Sequence, residues 1–167
     1  MAKTDFTVGR LRELLHYNAR TGLFTWLAKS GFGSSACAGV VAGGEDTPGG
    51  YIRIGVMGKR YMAHRLAWLY ATDAWPTEEI DHINGVRGDN RWINLRAATK
   101  NENQQNQRRA QANNQSGFLG VSPKKNRWQA NINTNGKRHY VGSFETEELA
   151  YAAYVLAKRA LHPRGMI

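Results

Sequence analysis

Residues 78–106, EEIDHINGVRGDNRWINLRAATKNENQQN, carry the most informative pattern of the chain. Ile80 leads into Asp81-His82, which the pattern places at the end of a short strand. The segment NGVRGDN that follows contains two glycines and several turn-forming residues, so it predicts a loop. An aspartate and a histidine therefore stand at the point where a strand gives way to a tight loop.

The second half of this segment predicts a strand and a helix. WINL at residues 92–95 favours a second short strand around Asn94. Thr99 followed by Glu102 has the spacing of a capping box, which predicts a helix over residues 100–109. The predicted order is strand, loop, strand, helix.

Four side chains of this segment supply groups that hydrolysis of a phosphodiester needs. A neutral imidazole such as that of His82 accepts a proton from water near pH 7. Asp81 and Asn103 offer oxygen ligands suited to a hard ion such as Mg²⁺ or Mn²⁺. Asn103 lies near the predicted helix start, where side chains lean back towards the strands. The fourth candidate is Asn94, which precedes Leu95. The pattern predicts magnesium-like rather than zinc-like metal use.

Each of these signals also has a simpler interpretation. An Asp-His pair taken alone is typical of a turn or a surface hydrogen bond. An Asn before Leu usually makes local backbone hydrogen bonds. The chemical interpretation therefore depends on the order and spacing of the whole set.

The charge of the chain points to an acidic partner. Among 167 residues, 23 are Lys or Arg and 13 are Asp or Glu, which gives a formal net charge of +10. Residues 103–144 contain no acid, and this acid-free stretch is typical of a polyanion-binding surface, with a solvated face as the alternative. Its basic residues are Arg108, Arg109, Lys124, Lys125, Arg127, Lys137 and Arg138.

The composition fits a folded intracellular protein. Hydrophobic residues make up 41% and charged residues 22%, which argues against wholesale disorder. The single Cys37 excludes an intramolecular disulfide and a Cys-rich zinc finger. No apolar run approaches the roughly 18 residues of a membrane span, and the N-terminus lacks the apolar stretch of a signal peptide. We therefore expect no membrane partner.

Upstream of this segment the pattern predicts small mixed elements. Residues 7–17 favour an amphipathic helix behind Thr7, and residues 22–26 a short strand. Residues 51–63 predict a β-hairpin, and residues 64–72 a helix. The Gly-rich stretch after Trp26 shows no clear period, so no function is assigned to residues 27–50.

The C-terminal third has a different period. Residues 104–117 end in a polar, low-complexity tether that predicts a linker. In residues 127–133 apolar side chains alternate with basic and amide-bearing ones, and Asn135-Gly136 predicts a tight hairpin turn into a strand at 137–144. Thr146 predicts the cap of a helix with a stripe of small and apolar residues suited to packing on the sheet. This stripe comprises Leu149, Ala152, Ala153, Leu156 and Ala160.

One set of polar residues, glycines and aromatics with a characteristic order and spacing is spread over roughly residues 10–108. It comprises Tyr17, Thr21-Gly22, Trp26, Gly50-Tyr51, Ala63-His64-Arg65-Leu66-Ala67, Asp81-His82, Gly85, Asp89-Asn90, Asn94-Leu95-Arg96, Thr99 and Asn103. This pattern resembles the HNH endonucleases of the phage and intron-homing type, in which a ββα unit holds one metal ion.

The resemblance implies a role for each residue of the site. His82 is the implied general base, and Asp81 and Asn103 are the implied metal ligands. Asn94 is implied to clamp the loop so that His82 is held in place. Asp and Asn stand where the family often has His, and since both versions occur in the family, this affects the metal preference more than the activity.

Five further residues near the site are assigned from their type and position. Arg87 and Arg96 are predicted to contact phosphate rather than metal. His64 is predicted either as a buried structural histidine, or as a phosphate contact or support of the active site; we include it among the DNA-binding candidates. Asn90 and Arg91 are expected to stabilise the loop or touch the DNA backbone.

Residues 116–162 resemble an APETALA2-type DNA-binding domain. The features that carry this resemblance are Gly120-Val121, Trp128, Ala130-Asn131-Ile132, Gly142-Ser143-Phe144, and the helix pattern of Thr146, Ala150, Ala153 and Tyr154. Such domains lay a three-stranded sheet in the major groove. Since Arg pairs with guanine, and Gln or Asn with adenine, polar residues opposite the apolar face are the DNA-binding candidates. They are Lys124, Arg127, Gln129, Asn131, Asn133, Arg138 and Tyr140.

Together these observations predict an α+β fold. A ββα-metal (HNH) nuclease domain occupies residues 1–109, a polar linker 110–117, and a small three-stranded antiparallel sheet packed on one helix 118–167. The predicted activity is site-specific, metal-dependent hydrolysis of double-stranded DNA by a homing-type enzyme, with Mg²⁺ or Mn²⁺ as cofactor. We expect it in the cytoplasm, at the nucleoid of a bacterial or phage-infected cell.

Two other functions remain open from the sequence. The first is a non-catalytic, sequence-specific DNA-binding regulator with a silent nuclease site. The second is an RNA-binding protein, which is disfavoured because the polar sheet face offers amides and arginines rather than stacking aromatics. One active site per chain leaves both a monomer and a dimer possible, because a double-strand break needs two chains or two sequential cuts.

Overall fold

The computed structural model describes residues 6–27, 37–45, 49–106, 110 and 114–162. The chain divides into two compact units, Met1–Ala97 and Ala98–Ile167. Helices and short strands are mixed in both units, and the sheets whose registers are known are antiparallel. No helix in the described part of the chain is long and apolar enough to span a membrane. The α+β class is confirmed at this level.

The first unit begins with a helix that is shorter than predicted. Helix α1, Val8–Leu14, is capped by the Thr7 hydroxyl, which accepts a hydrogen bond from the Arg10 amide. The prediction of helix up to residue 17 is wrong, because strand β1, Leu15–Asn18, follows at once. Burial alternates with a period of two along this strand, and β1 pairs with strand β2, Leu23–Trp26, in an antiparallel hairpin.

A three-stranded sheet and a helix complete most of this unit. Strands β3 (Gly44–Glu45), β4 (Ile52–Val56) and β5 (Lys59–Met62) pair in that order, and helix α2, Ala63–Thr72, follows directly. The predicted hairpin is confirmed, and both residues of its turn, Met57 and Gly58, have positive φ angles of 50° and 75°. The largest fully buried side chains of the unit are Leu11, Leu15, Phe24, Ile54, Val56 and Leu66.

Two further strands flank the loop that follows Asp81-His82. Strands β6 (Glu79–His82) and β7 (Leu95–Ala98) form a two-stranded sheet. The predicted strand around Asn94 is wrong, because residues Trp92–Asn94 form a 3₁₀ turn closed by a bond from the Asn94 amide to the Arg91 carbonyl. The strand begins one residue later, once that turn is complete.

Helix α3, Lys100–Gln105, begins at the predicted residue, and it falls in the second unit. Its capping box is complete, since the Thr99 amide donates to the Glu102 carboxylate at 2.9 Å and the Glu102 amide donates to the Thr99 hydroxyl at 3.3 Å. Residues 107–109, at the predicted end of this helix, lie outside the described part of the chain, as do 111–113 of the predicted linker.

The rest of the second unit is a sheet with one helix on it. Strands β8 (Val121–Lys124), β9 (Arg127–Thr134) and β10 (Lys137–Phe144) form an antiparallel sheet in the order β10-β9-β8, and helix α4 spans Glu147–Leu161. Asn135 and Gly136 have positive φ angles of 51° and 76°, as the predicted hairpin turn requires. A small core joins sheet and helix: Val121, Ala130, Ile132, Ala150 and Tyr154.

Helix α4 packs with a different face from the one predicted. Leu149 and Leu156 of the predicted stripe are 54% and 65% exposed, whereas Tyr154 is buried. The aromatic ring packs where Gly120 leaves space, because a side-chain carbon at that glycine would clash with it. The larger buried area of an aromatic ring outweighs the contact that small residues would make.

Candidate active site

His82 lies at the end of β6 and is only 3% exposed. Its ring meets two other rings, with centroids 5.1 Å away for His64 and 6.0 Å away for Tyr51. Burial lowers the pKa of His82 below its ordinary value, because the charged ring is less well solvated there. The imidazole is therefore neutral near pH 7 and able to accept a proton.

The buried side chain of Asn90 holds this ring from the loop. Its Oδ1 lies 3.2 Å from Nε2 of His82, and its Nδ2 donates to the Gly88 carbonyl at 3.3 Å. Because the amide oxygen can only accept, Nε2 of His82 carries the proton and Nδ1 carries the lone pair. The sequence pattern predicts only a general role of Asn90 in the loop and does not indicate this contact.

Asn94 closes the loop between the two strands. Its Oδ1 accepts from the Asn84 amide at 2.8 Å, and its Nδ2 donates to the Asp89 carbonyl at 2.7 Å. Its backbone carbonyl accepts from the Ile83 amide, also at 2.8 Å. One buried side chain thus connects the beginning of the loop to its end, which is the geometry expected of a loop clamp.

A carboxylate stabilises the middle of the loop. Asp89 accepts hydrogen bonds from the Asn84 side chain at 2.6 Å and from two nitrogens of Arg91 at 2.6 and 2.8 Å. The hydrogen bond from the Arg91 side chain is the largest cause that lowers the pKa of Asp89 to about 2. Arg91 is thereby engaged within the loop.

The antiparallel pair of β1 and β2, here called the N-terminal hairpin, contacts the loop and supports it. The Tyr17 hydroxyl donates to the Asn90 carbonyl at 2.7 Å, and the Trp92 amide donates to the Ala19 carbonyl at 3.0 Å. Burial, with a smaller effect of the Asp89 carboxylate, raises the pKa of Tyr17 to about 12, so this hydroxyl remains a donor. At Gly22, whose φ is 75°, an added Cβ would collide with the backbone of the Asn90-Arg91 peptide.

Asp81 carries the carboxylate beside the histidine. It is 5% exposed, and Nε and Nη2 of Arg96 donate to its Oδ2 at 3.0 and 2.8 Å. A buried carboxylate requires a nearby cation, and Arg96, predicted as a phosphate contact, supplies one here. As a hard oxygen donor, Asp81 also fits the requirement of a Mg²⁺-like ion.

Asn103 lies in the first turn of α3, where its amide donates to the Thr99 carbonyl at 2.9 Å. It belongs to the second unit, whereas Asp81, His82 and Asn94 belong to the first. Within the described ranges, no group of three or more His, Cys, Asp or Glu side chains could hold a metal. The oxygen donors predicted from the sequence are one carboxylate and one amide, a set suited to an ion that keeps several waters.

The remaining DNA-binding candidates of the first unit differ in accessibility. Arg87 is exposed; its guanidinium lies 4.9 Å from the centre of the Tyr51 ring and donates to the Gly49 carbonyl at 3.3 Å. His64 is 8% exposed and lies against His82. Arg87 therefore presents its charge to solvent, whereas His64 presents little surface.

In the second unit the strand registers bring the predicted DNA-binding residues to one face of the sheet. Asn131 pairs with Tyr140, Asn133 with Arg138, and Lys124 with Arg127. Paired residues of antiparallel strands share a face, and so do alternate residues along β9, which adds Gln129. A register shift between Tyr140 and Gly142 follows this run. The face carries three cations, and Tyr140 is 61% exposed on it.

One family model matches the part of the chain that contains His82. Residues 61–105 match the model of a family described as HNH endonuclease. The match supports a nuclease that acts on DNA. The matched range, from β5 to α3, contains His82 with its neighbours Asp81, Asn90 and Asn94. Comparisons with curated proteins and with solved structures gave no match.

Proposed function

We propose that the protein is a site-specific, metal-dependent endonuclease that hydrolyses phosphodiester bonds of double-stranded DNA, of the homing type and phage-encoded. The observation that carries the proposal is the buried, neutral His82, whose Nε2 is held by Asn90 and which follows Asp81 in the matched range. A neutral imidazole fixed beside a carboxylate fits the activation of water.

The chain's own residues divide the work. His82 takes the proton of the attacking water at Nδ1, because Asn90 keeps the ring proton on Nε2. Asn94 keeps the loop, and with it Asn90, in the shape that this bond needs. Asp81 would be an oxygen ligand of Mg²⁺ or Mn²⁺, Asn103 remains the second ligand predicted from the sequence alone, and the bound ion would stabilise negative charge on the phosphate and on the leaving oxygen.

The three-stranded sheet of β8, β9 and β10, together with helix α4, would supply affinity and part of the specificity. Residues 118–167 form the proposed APETALA2-type domain, separated from the nuclease domain of residues 1–109 by the linker 110–117. Arginine and amide side chains on one sheet face, near lysine, are the groups that read base edges and bind phosphate in a major groove. Arg87, whose charge faces solvent, is the proposed phosphate contact of the nuclease domain, whereas Arg96 holds the Asp81 carboxylate.

Plasmid cleavage tests the activity. Purified protein with supercoiled plasmid and Mg²⁺ or Mn²⁺ should produce nicked or linear DNA, and EDTA should abolish the product. His82→Ala should eliminate cleavage and preserve DNA affinity. His16→Ala is the matched control, because His16 is an exposed histidine of β1. If no metal-dependent product forms on any of several DNA sources while DNA is still bound, the non-catalytic regulator is the correct function.

A further inference from the structure

His64 is a buried polar side chain that the proposed chemistry does not use. It lies in the first turn of α2, is 8% exposed, and its Nδ1 is buried without a hydrogen-bond partner. Leaving a buried polar atom unsatisfied costs free energy, so such an atom in a native protein requires an explanation. A phosphate contact through Nδ1 does not provide one, because that atom itself is buried.

The neighbours of His64 indicate what the ring does. Its centroid is 5.1 Å from that of His82, and the two ring planes are inclined at 84°, an edge-to-face arrangement. The centroid of the Tyr51 ring lies 5.4 Å from that of His64 and 6.0 Å from that of His82. Burial is the largest cause that lowers the pKa of His64 to about 3, so the ring adds no positive charge beside His82. Edge-to-face packing is the geometry that aromatic rings prefer.

The contact complements the hydrogen bond that Nε2 of His82 donates to the Asn90 side chain. A bond to Nε2 fixes the position of one ring atom of His82 but restrains the tilt of the ring plane less. A second ring packed at nearly a right angle restricts that tilt. Together the two contacts determine where the Nδ1 lone pair of His82 points.

We propose that His64 is a positioning residue that fixes the ring plane of His82 through edge-to-face packing. The inference rests on the proposed nuclease function, in which His82 is the base. His64 acts as a rigid neutral ring, and neither of its nitrogens needs to touch substrate.

Kinetics of two variants distinguish packing from hydrogen bonding. His64→Ala removes the ring and should lower kcat by about 100-fold, since a misplaced catalytic group can cost that much, while leaving the DNA Kd unchanged. His64→Phe keeps a ring of similar shape and should recover at least about tenfold of that loss. A His64→Phe variant as slow as His64→Ala, or a His64→Ala variant altered in Kd but not in kcat, overturns the proposal.

A control variant separates positioning from general loosening of the helix. Leu69 is also buried on α2, 2% exposed, and forms part of the hydrophobic core. Leu69→Ala should lower Tm at least as much as His64→Ala and leave kcat unchanged below the melting range. An equal loss of kcat in both variants would refute a specific role of His64.

Histidine ring NMR tests the proposal without reference to cleavage. The His82 ring signals, assigned by their loss in His82→Gln, should be single and sharp in the full chain, and remain so in His64→Phe. They should shift and broaden in His64→Ala; if that variant does not fold, His64→Gln takes its place. Unchanged His82 signals in the folded ring-less variant contradict the proposal, whereas absent cleavage by the wild type contradicts only the nuclease function.

Discussion

The Arg96–Asp81 contact shows how a charge is held inside the site. Asp81 is 5% exposed, and both bonds from the guanidinium reach the same carboxylate oxygen. We expect Arg96→Ala to lower the free energy of unfolding by about 1–3 kcal/mol, because a buried acceptor loses donors. Urea unfolding measures this loss. In a double-mutant cycle with Asp81→Ala, the two losses should not add; additive losses would show that the pair is not coupled.

Asp89 gives the loop a pH dependence of known direction. Its pKa is lowered from 3.8 to about 2 in the folded protein, chiefly by the hydrogen bond from Arg91. A lowered pKa contributes stability that is present above pH 4 and is lost as pH falls towards 2. Asp89→Asn should therefore be less stable than the wild type at neutral pH, and the two unfolding curves should converge near pH 2. Parallel curves over this whole range would contradict the assignment.

The N-terminal hairpin acts on the loop as an element. Gly22 and Gly58 have the same φ of 75°, but an added Cβ clashes with the loop backbone only at Gly22, whereas at Gly58 it meets nothing within 4 Å. Gly58→Ala should cost about 1 kcal/mol of stability through backbone strain alone. Gly22→Ala should cost more, and only this variant should lower the cleavage rate. Equal effects on cleavage would mean that the hairpin does not support the loop.

Helix α4 offers a test of which face is packed. Tyr154→Ala should destabilise the second unit by about 3–5 kcal/mol, because a large buried ring leaves a cavity. Leu156→Ala should change the free energy of unfolding by no more than about 0.5 kcal/mol, since that side chain is 65% exposed. Thermal or urea unfolding of the two variants gives both values. A larger loss in Leu156→Ala than in Tyr154→Ala would show that α4 packs with the face predicted from the sequence.

Elements with a local signal were predictable, and those decided by distant contacts were not. The capping box at Thr99 and the Asn135-Gly136 turn depend on neighbouring residues, and both form as predicted. The end of α1 was missed because leucines at positions 14 and 15 fit both a helix and a strand, and pairing with β2 decides between them. The face of α4 depends on the space above Gly120, which no helical pattern encodes.

The site shows the same division. His82, Asp81 and Asn94 were predicted as site residues because their spacing lies within one short segment. The contact from Asn90 and the packing of His64 were not, because they depend on how a loop and a helix fold against β6. Position in sequence therefore predicted the residue types of the chemistry, and tertiary structure determined which neighbours hold them.

Across the whole molecule, the basic residues should make DNA binding depend on salt. Arg138 lies on the polar face of the sheet of β8, β9 and β10, where it pairs with Asn133. Lys137, its neighbour in sequence, lies on the other face of this sheet. Arg138→Gln should reduce the slope of log K against log salt concentration by about one, because one phosphate contact is lost. Lys137→Gln, which removes the same charge one residue away, should leave the slope unchanged. An equal change in both variants would show that this face does not meet DNA.

The support that the N-terminal hairpin gives the loop bears on how small a working nuclease cut from this chain can be. The family match covers residues 61–105. A fragment trimmed to that range would lose the Tyr17 hydroxyl and the Ala19 carbonyl, which hold the backbone of Asn90 and Trp92. A minimal nuclease fragment for use in protein engineering must therefore include β1 and β2, which lie some forty residues upstream of the matched range.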